Sequence, residues 1–135
     1  YQGRQFFIMN PFDNWFFKPN AVAFVQQWLD TVCTHDPQAI VNFYSQDGIL
    51  VGTVAEKIKR GHKEIKTYFD EFVKKKPCGK ITSSQTQMVN GVSIVSGVYE
   101  FNLDGEIVPA RFTFVVAKND MGEFEIINHH SSIFA

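Results

Sequence analysis

Residues 81–117 read ITSSQTQMVNGVSIVSGVYEFNLDGEIVPARFTFVVA, and apolar and polar side chains alternate through most of the stretch. A period of two is that of a strand with one face buried. Asn90-Gly91 and Asp104-Gly105 interrupt it, and such pairs supply the two positive-φ residues of a tight hairpin turn. A further turn signal spans Asn119 to Gly122, after which EFEIINHHSSIF, residues 123–134, resumes the strand pattern. Strands that follow one another with only tight turns between them pair antiparallel, so this half of the chain predicts a meander.

Upstream the period changes. Asn20 is a helix N-cap candidate, and Val22, Val25, Leu29, Val32 and Cys33 follow it at helical spacing, with Trp28 widening the stripe. Asp36-Pro37 is a second start signal, an N-cap acceptor with proline at the first helical position, leading into QAIVNFY and ended by SQDG. GILVGTV, residues 48–54, reads as a strand. RGHKEIKTYFDEFVKKKPCGK, residues 60–80, holds a third helix with Ile65, Tyr68, Phe69, Phe72 and Val73 on one stripe. Lys74 to Lys76 suit the negative end of its dipole, and Pro77 stops it.

Helices first and sheet last define an α+β class. The expected architecture is a strongly curved antiparallel sheet wrapped as a cone around about three helices, with a pocket between the third helix and the last strands. Residues 20–135 form the single domain. Residues 1–19, rich in aromatics and broken by Pro11 and Pro19, are expected to be an arm that packs on the domain or on a partner subunit.

The 135 residues are 44% hydrophobic and 20% charged, with a formal charge of -1. That balance gives no basic surplus for nucleic acid or anionic lipid, and neither partner is expected. No run approaches ~18 apolar residues and no charged-then-apolar leader opens the chain. From its start at Tyr1 the sequence is expected to be a trimmed precursor. Cys33 and Cys78 fall on different elements, and the favoured reading is two unpaired, packed thiols.

The last strand carries Asn128-His129-His130-Ser131-Ser132. Alternation divides these into two pairs. His129 and Ser131 share a face with Ile127, while His130 and Ser132 share the other with Asn128 and Ile126. Adjacent strand histidines diverge, and His35 and His62 show no ligand spacing, so no metal is expected. Ser131 lacks the glycine-rich elbow of a hydrolase nucleophile. What remains is a set of hydrogen-bonding groups in an apolar pocket, able to order a water or polarise a small substrate. Tyr68 lies on an inward stripe and its hydroxyl needs a partner; Thr53 reaches the mouth of the same pocket or stays a surface threonine. Arg111 reads as a surface or interface charge.

LVGTV, GHKEIKTYFDEF, KKKPCGKI, SGVYEFNLDG, ARFTFVVAKND and IINHHSS, in this order, resemble the iota-class carbonic anhydrases over roughly residues 20–135. That family belongs to the nuclear-transport-factor-like superfamily and is close to the calcium/calmodulin-dependent protein kinase II association domain. The resemblance implies reversible hydration of CO2 to bicarbonate in a pocket lined by Thr53, Tyr68, His129 and Ser131. His130 and Ser132 are the second choice of register. Phe114 is expected against the substrate. Some members are metal-free and others manganese-dependent; the expectation here is no cofactor, CO2 and bicarbonate as ligands, and a homodimer through the sheet. A chloroplast or a bacterial periplasm would suit the role alone. On this reading Ser131, Thr53 and Tyr68 hold a water in line with CO2, and His129 accepts or relays its proton. The competing classes are a non-catalytic binding or oligomerisation module, and an isomerase-like or cyclase-like enzyme with an acidic base, for which the last strand offers only Glu125.

Overall fold

The protein is described by a computed structural model covering residues 20–53 and 55–134. The expected arm, residues 1–19, lies outside the described residues.

Helix α1 spans Ala21–Val32 and starts where Asn20 Oδ1 accepts from the Ala23 amide at 2.9 Å. It buries Ala21, Val25, Trp28, Leu29 and Val32. Val22 and Cys33, expected on the same stripe, are half-buried at its margins. Helix α2, Pro37–Val41, is capped by Asp36, whose carboxylate accepts from the Gln38 and Ala39 amides. The chain is extended again from Tyr44, so Ser45 to Gly48 lie inside strand β1, Tyr44–Val51, and do not form the expected stop. An irregularity between Tyr44 and Ile49 absorbs them where β1 pairs with the last strand. A short strand β2, Lys59–Arg60, leads into α3, Gly61–Phe72, which buries Ile65, Phe69 and Phe72. One 3-10 turn, Val73–Lys75, ends it, and Lys76 is left-handed before Pro77.

The meander follows as expected: β3 Cys78–Val89, β4 Val92–Leu103, β5 Glu106–Lys118 and β6 Phe124–Ile133. Asn90, Gly91, Asp104 and Gly105 all have positive φ, as two-residue hairpin turns demand. The curled open sheet has the order β2-β1-β6-β5-β4-β3. The expectation of a wholly antiparallel sheet needs one correction, because β1 runs parallel to β6. Parallel neighbours need a long connection, and α3 with the meander supplies it.

α1 packs across β3 and β4, and α3 packs on β1. Trp28, 1% exposed, lies at the centre of the layer between helices and sheet, edge-on to Phe114 at 5.1 Å and to Phe69 at 6.3 Å. Cys33 and Cys78 form a disulfide that ties the end of α1 to the start of β3. This corrects the expectation of two unpaired thiols: the helix crosses the sheet so that two cysteines 45 residues apart have their Cα atoms 4.4 Å from each other. Beside it, His35 Nε2 donates to the Pro77 carbonyl at 2.9 Å.

Gly97 on β4 marks a place where the sheet has no room for a side chain. A Cβ there would overlap the Ser83 carbonyl and approach the Phe112 ring at 3.0 Å. Gly97→Ala is expected to cost about 1–3 kcal/mol by forcing backbone apart, measurable as a lowered midpoint in urea.

Candidate functional site

The site is positioned by a break in strand alternation. Between Val115 and Val116 the β5–β6 register shifts by one residue, with Ile126 opposite Val116 and Asn128 opposite Val115. Ile127 is the extra residue and faces solvent, so Ile126 shares the inner face with His129 and Ser131. The expected grouping of Ile127 with His129 is therefore wrong, because a bulge inverts the phase of the strand. The His129–Ser131 pair does point inward, 2% and 5% exposed. His130 is exposed and Ser132 half-buried on the opposite face.

Ser131 Oγ is the centre of a short hydrogen-bonded set. Thr53 Oγ1, in the turn after β1, is 2.6 Å away. Tyr99 Oη, from β4, donates to the same Oγ at 2.6 Å and lies 3.2 Å from His129 Nε2. The other imidazole nitrogen, Nδ1, is 2.8 Å from Tyr44 Oη at the start of β1. Tyr44, His129, Tyr99, Ser131 and Thr53 thus form one continuous chain through the interior.

Tyr44 and Tyr99 were not among the residues expected from sequence. Tyr99 could have been found: it falls two residues from Phe101 and four from Val95 on the buried face of β4, and an inward tyrosine hydroxyl needs a partner. Tyr44 was hidden because the turn-like composition of Ser45 to Gly48 assigned it to the end of a helix.

Thr53, Tyr68, His129 and Ser131 all line one cavity, together with Tyr99 and Phe72. Its volume is about 10 Å³, room for about one water. Gly52 permits this arrangement, since any Cβ there would overlap the Tyr68 ring. Tyr68 packs edge-on to Phe69 at 5.1 Å and stacks on Phe72 at 5.7 Å. Tyr68 and Phe72 also border an open pocket of about 410 Å³ on their outer side, where Glu56, Lys57, Lys59 and Lys75 lie.

Phe114, expected against the substrate, does not line the cavity; it lies flat against the imidazole, ring centres 3.8 Å apart, with Trp28 edge-on to the same ring at 5.0 Å. These rings set the orientation of His129. Arg111 is exposed, as expected, with its guanidinium 4.6 Å above the Phe134 ring. Glu125, the carboxylate of the isomerase-like reading, accepts from the Asn119 side chain at 3.4 Å, and among the described residues no carboxylate lines the cavity.

Burial dominates the electrostatics. It lowers the imidazolium pKa of His129 to about 3, with the nearby His130 charge acting in the same direction. It pushes Tyr68 up to about 12, against the hydrogen bonding of Thr53. It also raises Tyr99 and Tyr44 well above the usual phenol range. Every member of the chain is therefore neutral at pH 7. The expectation that His129 accepts the water's proton does not fit a ring so reluctant to ionise, with both nitrogens already engaged. The same engagement leaves no nitrogen for a metal, and among the described residues no three His, Cys, Asp or Glu side chains converge. The residues present do not fit a manganese or zinc ion at this site.

The sequence model of the calcium/calmodulin dependent protein kinase II association domain matches residues 18–135. No curated protein matches the chain. A Xanthomonas campestris structure described as a calcium/calmodulin dependent protein kinase II association domain is 34% identical, covers 84% of each chain, and superposes with a TM-score of 0.78. At 17% identity, a Parabacteroides distasonis protein described as a ketosteroid isomerase covers 84% of each chain with a TM-score of 0.70. An NTF2-like protein of unknown function from Pseudomonas putida, 11% identical, covers 82% of each chain with a TM-score of 0.72. The last two share the fold alone. With the family model matching nearly the whole described domain, the chain belongs to the calcium/calmodulin dependent protein kinase II association domain family.

Proposed function

We propose that the protein hydrates CO2 reversibly to bicarbonate, without a metal, at the cavity beneath Tyr68. The observation that carries this reading is Ser131 Oγ, held by hydroxyls of Thr53 and Tyr99 at 2.6 Å each in a cavity lined mostly by aromatic rings. Among the described residues no ionised side chain lines that cavity, which suits a neutral apolar triatomic better than an anion. The resemblance of the chain to iota-class carbonic anhydrases points the same way.

In this mechanism one water occupies the cavity, and CO2 docks at the ring wall of Tyr68 and Phe72. The water oxygen bonds to carbon while one C–O π pair moves onto oxygen, and hydroxyl donors stabilise the charge that develops there. The proton released from the water leaves toward the outer pocket, where Glu56 and Glu71 face solvent. Bulk water has a pKa of about 15.7 and nothing here lowers it as a metal would, so turnover far below that of the zinc enzymes is expected.

The test is CO2 hydration followed by stopped flow with a pH indicator on chelator-treated protein. Activity should survive chelation, and Ser131→Ala should lower kcat/KM by about 10- to 100-fold. Loss of all activity on chelation would overturn the metal-free mechanism.

A second reading, a non-catalytic association module, is favoured by the family's description and by apolar side chains on the outer surface, Ile107 of β5 and Ile127 and Ile133 of β6. In that reading a homodimer forms through the sheet. Protein inactive with or without added metals, yet dimeric by sedimentation, would support it. In either reading the disulfide suits an oxidising compartment, such as a periplasm.

A further inference from the structure

The hydrogens of the buried chain can be counted, and the count has a direction. Tyr99 has one hydroxyl hydrogen and donates it to Ser131. Its contact with His129 Nε2 must then be made by an N–H donating to the Tyr99 oxygen. A neutral imidazole carries one proton, so Nδ1 is the acceptor and the Tyr44 hydroxyl donates to it.

The other end of the chain gives the same answer independently. Were the chain reversed, the Tyr44 hydrogen would need another acceptor, and among the described residues its hydroxyl has no acceptor besides His129, the nearby Trp28 indole N–H being a donor. The unpartnered group in this core is itself a donor, the Trp28 indole N–H, packed edge-on against the same imidazole. Tyr44 is 1% exposed, so water does not rescue the reversed form. A buried hydroxyl left without an acceptor is disfavoured by roughly tenfold or more.

At the cavity end, Ser131 and Thr53 share one 2.6 Å contact in which either can donate. They have two hydrogens between them and the contact uses one. With Tyr99 donating inward, the second points toward the cavity, where the Tyr68 hydroxyl that meets Thr53 is the acceptor it exchanges for a ligand oxygen.

We propose that Tyr44 fixes the direction of this chain through the His129 tautomer, so that the Thr53–Ser131 pair presents a hydrogen-bond donor to the cavity and selects an oxygen acceptor as ligand. Tyr44 is a positioning residue, more than one side chain removed from the ligand. The inference rests on the carbonic anhydrase reading only for the identity of that acceptor, an oxygen of the water or of the bicarbonate that occupies the cavity in turn. It also assigns His129 the role of a fixed donor, which explains why a histidine this hard to protonate occupies the site.

The experiment is a long-range 1H–15N correlation on protein labelled in its histidines, at pH 7, with the His129 signals assigned by their absence in His129→Gln. The expected result is the Nε2–H tautomer for His129. A protonated Nδ1 overturns the proposal. In Tyr44→Phe the acceptor role of Nδ1 is idle, and the preference should fall toward a mixture; a tautomer as fixed as in the wild type would show that Tyr44 does not set it. The wild-type spectrum decides the direction even if the variant folds poorly. A wild-type Nε2–H tautomer in a protein without CO2 hydration would uphold the polarity and overturn the function, so the two failures are distinct.

Discussion

Opening the Cys33–Cys78 disulfide should lower the free energy of unfolding by about 4 kcal/mol. The bond closes a loop of 45 residues, and in the chain-entropy account a cross-link of that span restricts the unfolded ensemble by an amount between those for 15 and 100 residues, about 3 and 4.7 kcal/mol. Domains of this size have only about 5–15 kcal/mol in total. A Cys33→Ser, Cys78→Ser double variant should therefore melt about 15 °C lower than the oxidised protein, as should the wild type in reductant. Neither cysteine lines the cavity, so whatever activity the native state has should survive below the melting range. Native protein that reacts with a thiol reagent without prior reduction would contradict the bond.

Acid should unfold the protein through His129. The imidazole is lowered from its ordinary 6.5 to about 3 by burial. The unfolded chain therefore takes up a proton between those two values that the folded chain refuses. By linkage, stability is fully present above pH 6.5 and falls with decreasing pH at up to about 1.4 kcal/mol per unit until the folded group protonates near 3. At pH 4 the loss from this group is about 3 kcal/mol. His129→Gln removes the titration, so the difference in stability between variant and wild type should shrink or reverse as the pH drops from 7 to 4. Parallel pH profiles in urea denaturation would refute the assignment. The measurement also bears on mechanism, since a histidine that titrated near 6 would again be available as a base.

The helices and the meander were legible because their signals are local. Asn20 and Asp36 cap the helices they begin, and the Asn-Gly and Asp-Gly turns lie where the positive-φ residues are. What escaped was geometry that depends on partners distant in the chain. The parallel pairing of β1 with β6 and the meeting of Cys33 with Cys78 have no local signature. At the site, alternation gave the inward pair His129 and Ser131 correctly while misplacing Ile127, since nothing in Ile126-Ile127-Asn128 announces a bulge. Thr53 and Tyr68 were candidates from their places on strand and helix stripe, to which the resemblance gave roles, and the cavity brings them to the same pair. Tyr44 and Tyr99 escaped the sequence reading because they act through His129 and Ser131. Their contribution is to hold the two nitrogens of a histidine, visible only once β1, β6, β5 and β4 are placed side by side.

Among the described residues the sheet order leaves β3 with a partner on one flank only, β4. A 12-residue strand with a free flank is a template on which another extended chain can add itself, the first step of aggregation. The chain counters this along most of the strand. Lys80, Ser83, Ser84, Gln85, Thr86 and Gln87 make the strand predominantly polar, and the irregularity between Ile81 and Ser83 disturbs its regular ladder. Met88 and Val89, 72% and 52% exposed at the far end, are its least guarded part. The cystine at the opposite end secures Cys78 to the helix layer, so the same bond that stabilises the fold also restrains the strand most open to recruitment by a stranger.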